Sequence, residues 1–129
     1  MLPHFEKRGQ LGSFGENAVA NVYVRRGARV LARNYKTRFG EIDLIIEKPR
    51  SIAAVEVKTR TVPAGKPKYT FGRPAEAVGR ARIERLEQTL ILFAQAEKYS
   101  GLLQIDVAEV LVDARGSLLD IQILENVTK

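Results

Sequence analysis

The sequence predicts an α/β fold built on a mixed sheet, and three observations carry that prediction. Five apolar segments of strand length recur at 29–35, 41–47, 52–60, 103–112 and 118–124. Two further segments place apolar residues at helical spacing, one ahead of the first strand and one between the third and fourth. The second is long enough to act as the crossover that a parallel strand pair requires.

The elements follow in order. Residues 1–12 read as a flexible N-terminal tail, and 13–129 as a single domain. Ser13 and Glu16 form the S-x-x-E pattern of a capping box, which predicts a helix start there. Ala18, Val19, Val22 and Tyr23 supply its apolar spacing, and Gly27 ends it. RVLARNY at 29–35 is the first strand, and 36–39 a turn. Residues 41–47 and 52–60 are joined by a tight turn holding Pro49, so they pair antiparallel. From Thr61 to Pro74 the chain is rich in Pro, Gly and Lys, which predicts a long loop. A helix over 75–98 carries an apolar stripe of Ile83, Leu86, Leu90 and Phe93. Two strands close the chain, separated by the turn DARGS.

Composition narrows the function. The 129 residues carry a net charge of +6, which favours a polyanionic partner. With no cysteine, disulfides, thiolate metal sites and cysteine nucleophiles are excluded. The first residues lack the apolar core of a signal peptide, and no apolar run approaches a membrane span. A soluble cytoplasmic protein with no membrane association is expected.

The stretch GEIDLIIEKPRSIAAVEVKTR, 40–60, is the anomaly. Acids are depleted in strands, yet Glu41 and Asp43 interrupt the first segment, and Glu56 and Lys58 the second. Alternation puts Glu41, Asp43 and Ile45 on one face and Ile42, Leu44 and Ile46 on the other. Glu56 and Lys58 share a face of the partner strand. Antiparallel pairing then brings Asp43 towards Glu56 and Lys58. Two adjacent carboxylates repel each other, and a hard cation relieves that repulsion. Mg²⁺ needs few protein oxygens because it retains several waters. A lysine beside such an ion can orient water or stabilise charge on a phosphate. The D…E-x-K pattern is thus what metal-assisted phosphodiester hydrolysis uses. The same residues also suit a solvated sheet face with cross-strand charge pairs.

GENA at 15–18, RNY at 33–35, GEIDLI at 40–45, VEVKTR at 55–60, FG at 71–72 and RL at 85–86 make the chain resemble the YraN-type uncharacterised bacterial protein family. The resemblance covers roughly 13–112. It implies a restriction-endonuclease-like three-layer core, with a mixed central sheet flanked by helices, near the archaeal Holliday-junction resolvases. It further implies that Asp43, Glu56 and the carbonyl of Val57 ligate Mg²⁺ or Mn²⁺. Lys58 would position the attacking water, and Glu16 would complete the site. The implied activity is a divalent-metal-dependent DNA endonuclease acting on branched or single-stranded DNA. A homodimer is expected by analogy with resolvases. Where the family has Arg-Phe-Asp this chain has Gln104-Ile105-Asp106, and Arg82 stands where a lysine is common.

Other residues have two readings each. Glu16 is either a cap or a metal ligand. Asp106 reads either as a metal ligand or, as expected, as a structural acid bonded to an arginine such as Arg33. Lys66, Lys68, Tyr69 and Arg73 are candidate nucleic-acid contacts, as is Arg82; the loop residues among them equally suit a solvated loop. A non-catalytic nucleic-acid-binding or partner-docking module with a vestigial nuclease site is the alternative function.

Overall fold

A computed structural model describes residues 8–64 and 78–128, with side chains from Gly12 onward. The chain runs α1 (Arg8–Arg25), β1 (Arg29–Thr37), β2 (Gly40–Glu47), β3 (Ser51–Thr61), α2 (Arg80–Ala96), β4 (Leu102–Val112) and β5 (Leu118–Leu124). The five strands form one sheet in the order β1-β2-β3-β4-β5. β1, β2 and β3 pair antiparallel, β3 and β4 parallel, and β4 and β5 antiparallel. The parallel pair follows from the α2 crossover, since a tight turn can join only antiparallel neighbours.

Both faces of the sheet are buried, which makes the core three-layered. Val19, Ala20 and Tyr23 of α1 pack on Leu44, Ile46, Ala53, Val55, Ala108 and Val110. Leu86, Leu90 and Phe93 of α2 pack on Ile45, Ile52, Ala54 and Ile105 of the opposite face. The predicted apolar stripe of the second helix therefore does what its spacing implies. The expected α/β class, with a mixed central sheet between helices, is the observed one.

Several local expectations are corrected. α1 begins at Arg8, so the S-x-x-E pattern lies inside the helix and is not its cap. Arg8, Gln10 and Leu11 are good helix formers, and with them the helix runs past the local signal despite Gly9 and Gly12. Residues 8–12 accordingly belong to α1 and not to a tail. α2 begins at Arg80, behind an extended Gly79. At the other end of α1, Gly27 adopts φ 90°, the left-handed conformation that glycine reaches without a Cβ penalty.

The alternation expected for β2 slips. Ile42 joins Ile45 in the α2 layer, whereas Leu44 and Ile46 face α1. The slip falls at Asp43. Regular β2–β3 pairing also stops there, its last pair being Leu44 with Val55. On the outer side, β1 carries a bulge between Val30 and Ala32, which adds local twist to the same region. No helix among the described residues is long and apolar enough to cross a membrane.

Candidate metal and nucleic-acid site

Where β2 and β3 part, the main chain leaves an amide without its ladder partner. The Val57 N–H donates instead to Asp43 Oδ2 at 2.8 Å. A buried amide demands an acceptor, so this bond fixes the Asp43 carboxylate at the split. Glu56 lies one residue before Val57 and is buried, 6% exposed. The predicted meeting of Asp43 and Glu56 therefore occurs through a strand separation and not through a flat antiparallel pair.

The electrostatics of the meeting are adverse for two anions. Burial pushes the Asp43 carboxyl up to about 7. The Val57 N–H opposes that shift, while the charges of Glu56 and Glu16 and a hydrogen bond with Glu56 add to it. Two acids that share one hydrogen bond cannot both be ionised at low cost. Keeping Asp43 protonated relieves that repulsion.

Arg82 of α2 partly offsets the deficit. Its Nε donates to Glu56 Oε2 at 2.9 Å and its Nη2 to Oε1 at 3.0 Å, a two-pronged grip. The hydrogen bond to Glu56 raises the guanidinium further, against the opposing effect of burial, and the charges of Glu56, Asp43 and Glu41 act in the same direction. The expected phosphate-contacting arginine thus closes on an acid of the candidate site. Neither charge nor motif announced the pairing. Arg82 stood out only as a basic residue of the crossover helix, at the position where a lysine is common.

Glu16 approaches from the opposite layer. Burial raises its carboxyl, and Glu41 and Glu56 push the same way. A hydrogen bond with Asn34 and the charge of Arg33 pull it down. Asn34 holds a positive φ of 49° inside β1, an uncommon conformation that asparagine tolerates better than most residues. Arg33 Nη1 donates to Asn17 Oδ1 at 2.7 Å. GENA and RNY are therefore two halves of one contact, joining α1 to the edge strand. Gly15 completes it. A Cβ there would lie 1.9 Å from Thr59 Oγ1, so only glycine lets α1 come this close to β3.

Lys58 is exposed and two residues beyond Glu56, on the same side of β3. In the parallel ladder it stands beside Glu109. Lys66, Lys68, Tyr69 and Arg73 lie outside the described residues.

Asp106 is a structural acid, but its expected partner was wrong. It accepts hydrogen bonds from Tyr23 Oη at 2.6 Å, Lys48 Nζ at 2.7 Å, Gln104 Nε2 at 2.8 Å and the Asn126 amide at 2.9 Å. Arg33 is on β1, with β2 and β3 between it and Asp106. The paired aspartate pushes the Tyr23 hydroxyl well up, although burial is the larger cause.

The donor set can be weighed against a divalent ion. Among the described residues no group of three or more His, Cys, Asp or Glu side chains forms a ready cage. Two converging carboxylates do suit Mg²⁺ or Mn²⁺, which complete octahedral coordination with water and substrate oxygens. The raised Asp43 carboxyl reflects a cost of negative charge at this spot, of the kind a cation relieves.

Known proteins give a consistent picture. Residues 15–110 match the profile of the Uncharacterised protein family UPF0102. A UPF0102 protein of Syntrophomonas wolfei is 36% identical over 105 residues, covering 81% of this chain and 86% of the relative. One of Caldicellulosiruptor saccharolyticus is 30% identical, covering 91% and 95%. One of Mycolicibacterium vanbaalenii is 34% identical, covering 85% and 87%. With a match across most of its length and relatives of nearly equal span, the chain belongs to the Uncharacterised protein family UPF0102.

Proposed function

We propose that the protein is a divalent-metal-dependent DNA endonuclease that hydrolyses phosphodiesters, with branched or single-stranded DNA as substrate. The observation that carries this reading is the meeting of half-buried Asp43 with buried Glu56 at the split between β2 and β3, where one basic side chain grips Glu56. Asp43 and Glu56 would hold Mg²⁺ or Mn²⁺, with the Val57 carbonyl and Glu16 as the further expected oxygen donors. When bound, the ion supplies Lewis-acid polarisation of the phosphate and lowers the pKa of a coordinated water. The chain's own residues do the rest. The Val57 N–H aims Asp43 at the split. Lys58, exposed beside Glu56, orients water or stabilises the developing phosphate charge. Arg82 and the net charge of +6 attract the DNA backbone. A homodimer would present two such sites to opposite strands, and sedimentation tests that part separately.

Fluorescent duplex, flap and four-way-junction substrates with Mg²⁺ or Mn²⁺ test the activity. Cleavage is expected on at least one, falling on the order of a hundredfold or more in Asp43→Ala. Equal inertness of wild type and variant on all substrates would sink the reading.

One observation favours a second reading. Glu56 is already gripped on both oxygens by Arg82, as suits a binding module whose acid pair has become structural. Such a module would bind DNA in a salt-sensitive way, unchanged by EDTA and by Glu56→Ala.

A further inference from the structure

We infer that Arg82 is a polyanion-operated gate on the metal site: it holds Glu56 closed until a phosphodiester takes its guanidinium. The inference rests on the proposed reading that Asp43 and Glu56 hold the ion, and it adds how that holding is regulated.

The grip has two consequences. Both Glu56 oxygens accept from Arg82, at 2.9 and 3.0 Å. A divalent ion needs lone pairs of those oxygens and is repelled by the adjacent cation. Metal and Arg82 therefore compete for Glu56. The Glu56 side chain is 8% exposed, whereas that of Arg82 is 36% exposed. The acid is shielded, and the arginine is reachable from solvent. A phosphate diester presents paired oxygens that fit the same guanidinium fork. Phosphate and Glu56 therefore compete for Arg82.

Two competitions that share one ion pair give positive linkage. Backbone phosphate withdraws Arg82, and Glu56 becomes available to the ion. By reciprocity, the ion withdraws Glu56 and frees Arg82 for phosphate. The placement of Arg82 supports this role. It lies in the first turn of α2, between Arg80 and Arg85, both of which are exposed. A polyanion that reaches this helix end meets three guanidinium groups, only one of which is committed to Glu56. A gate of this kind keeps the ion site closed in the absence of nucleic acid.

A purely positioning arginine predicts the opposite sign on removal, which makes the test decisive. Mn²⁺ affinity is measured by paramagnetic resonance of the free ion, without DNA, for wild type, Arg82→Gln, Arg82→Lys and Asp43→Asn. The gate predicts about tenfold tighter Mn²⁺ binding in Arg82→Gln, the scale of a lost charge-assisted hydrogen-bonded pair. Arg82→Lys retains the charge but not the fork and falls between. Anisotropy with a hydrolysis-resistant phosphorothioate oligonucleotide reads the reciprocal arm: Mn²⁺ tightens wild-type binding, and Arg82→Gln loses most of that gain. If Mn²⁺ binds wild type through Asp43 but binds Arg82→Gln equally or more weakly, the gate is wrong while the metal reading stands. If no variant binds Mn²⁺ and Asp43→Asn changes nothing, the metal reading falls and the gate falls with it.

Discussion

Asp106 and the Asp43–Glu56 pair both place acids within the sheet, and they are built on opposite principles. Around Asp106 the chain gathers a hydroxyl, an ammonium, a side-chain amide and a main-chain amide. Lys48 continues to Glu125, so the cluster ties the β2–β3 turn and the chain's last residues to β4. Around Asp43 and Glu56 the chain instead places acid against acid, with one main-chain amide and one arginine in support. Asp106 is fully buried and Asp43 only half-buried, and the supply of donors differs as well. A satisfied acid fastens a fold, whereas a pair short of donors stores a preference for an added cation.

Substitutions can break or sharpen that contrast. The largest stability effect is expected at the satisfied centre. Asp106→Ala leaves Lys48 and Tyr23 without their buried partner and should cost about 3 kcal/mol by urea denaturation. A loss under 1 kcal/mol would show that the cluster is not a fastening. Gly15→Ala comes next, at about 1–3 kcal/mol, because the new methyl group meets Thr59. Thermal melts of Gly15→Ala with and without Thr59→Ala check this, since removing the hydroxyl should recover part of the loss.

At the donor-poor centre a substitution stabilises instead, and the gain depends on pH. The Asp43 carboxyl is raised to about 7 in the folded protein, above its unfolded value, so the native state binds more protons. Its ionisation therefore weakens the metal-free fold as pH rises from the ordinary carboxylate range to about 7, and the loss is complete above that. Asp43→Asn removes this cost and retains an acceptor for the Val57 N–H. It should raise the melting temperature by roughly 4 °C at pH 8, with the gain shrinking as pH falls towards 4. A gain independent of pH would contradict the shifted carboxyl. The smallest effect is expected at the surface pair Arg29–Glu47, 3.0 Å apart and well exposed. Arg29→Ala should change stability by no more than about 0.5 kcal/mol, which gives the baseline for the other three.

Much of the fold was legible because period and punctuation coincide with it. The boundaries of β5 and the α2 stripe follow from alternation and 3.6-residue spacing. The start of α1 was misplaced because a capping pattern is local, and the helix formers ahead of it outweigh it. At the site, Asp43 and Glu56 stood out as charges among apolar neighbours. Arg82 as partner to Glu56 did not, since 26 residues separate them and nothing in a single helix reveals which sheet residue it faces. Two of the Asp106 partners were missed for the same reason: Lys48 is 58 residues away and Tyr23 is 83.

The sequence by itself determined the class of fold, the order of its elements and the presence of acids where a strand should have none. Those features are encoded in neighbours along the chain. Tertiary structure decided what each acid does. It parted β2 from β3 at Asp43, set Glu56 under Arg82, and supplied Asp106 with four donors, because donor supply in a buried site depends on which distant segments converge there.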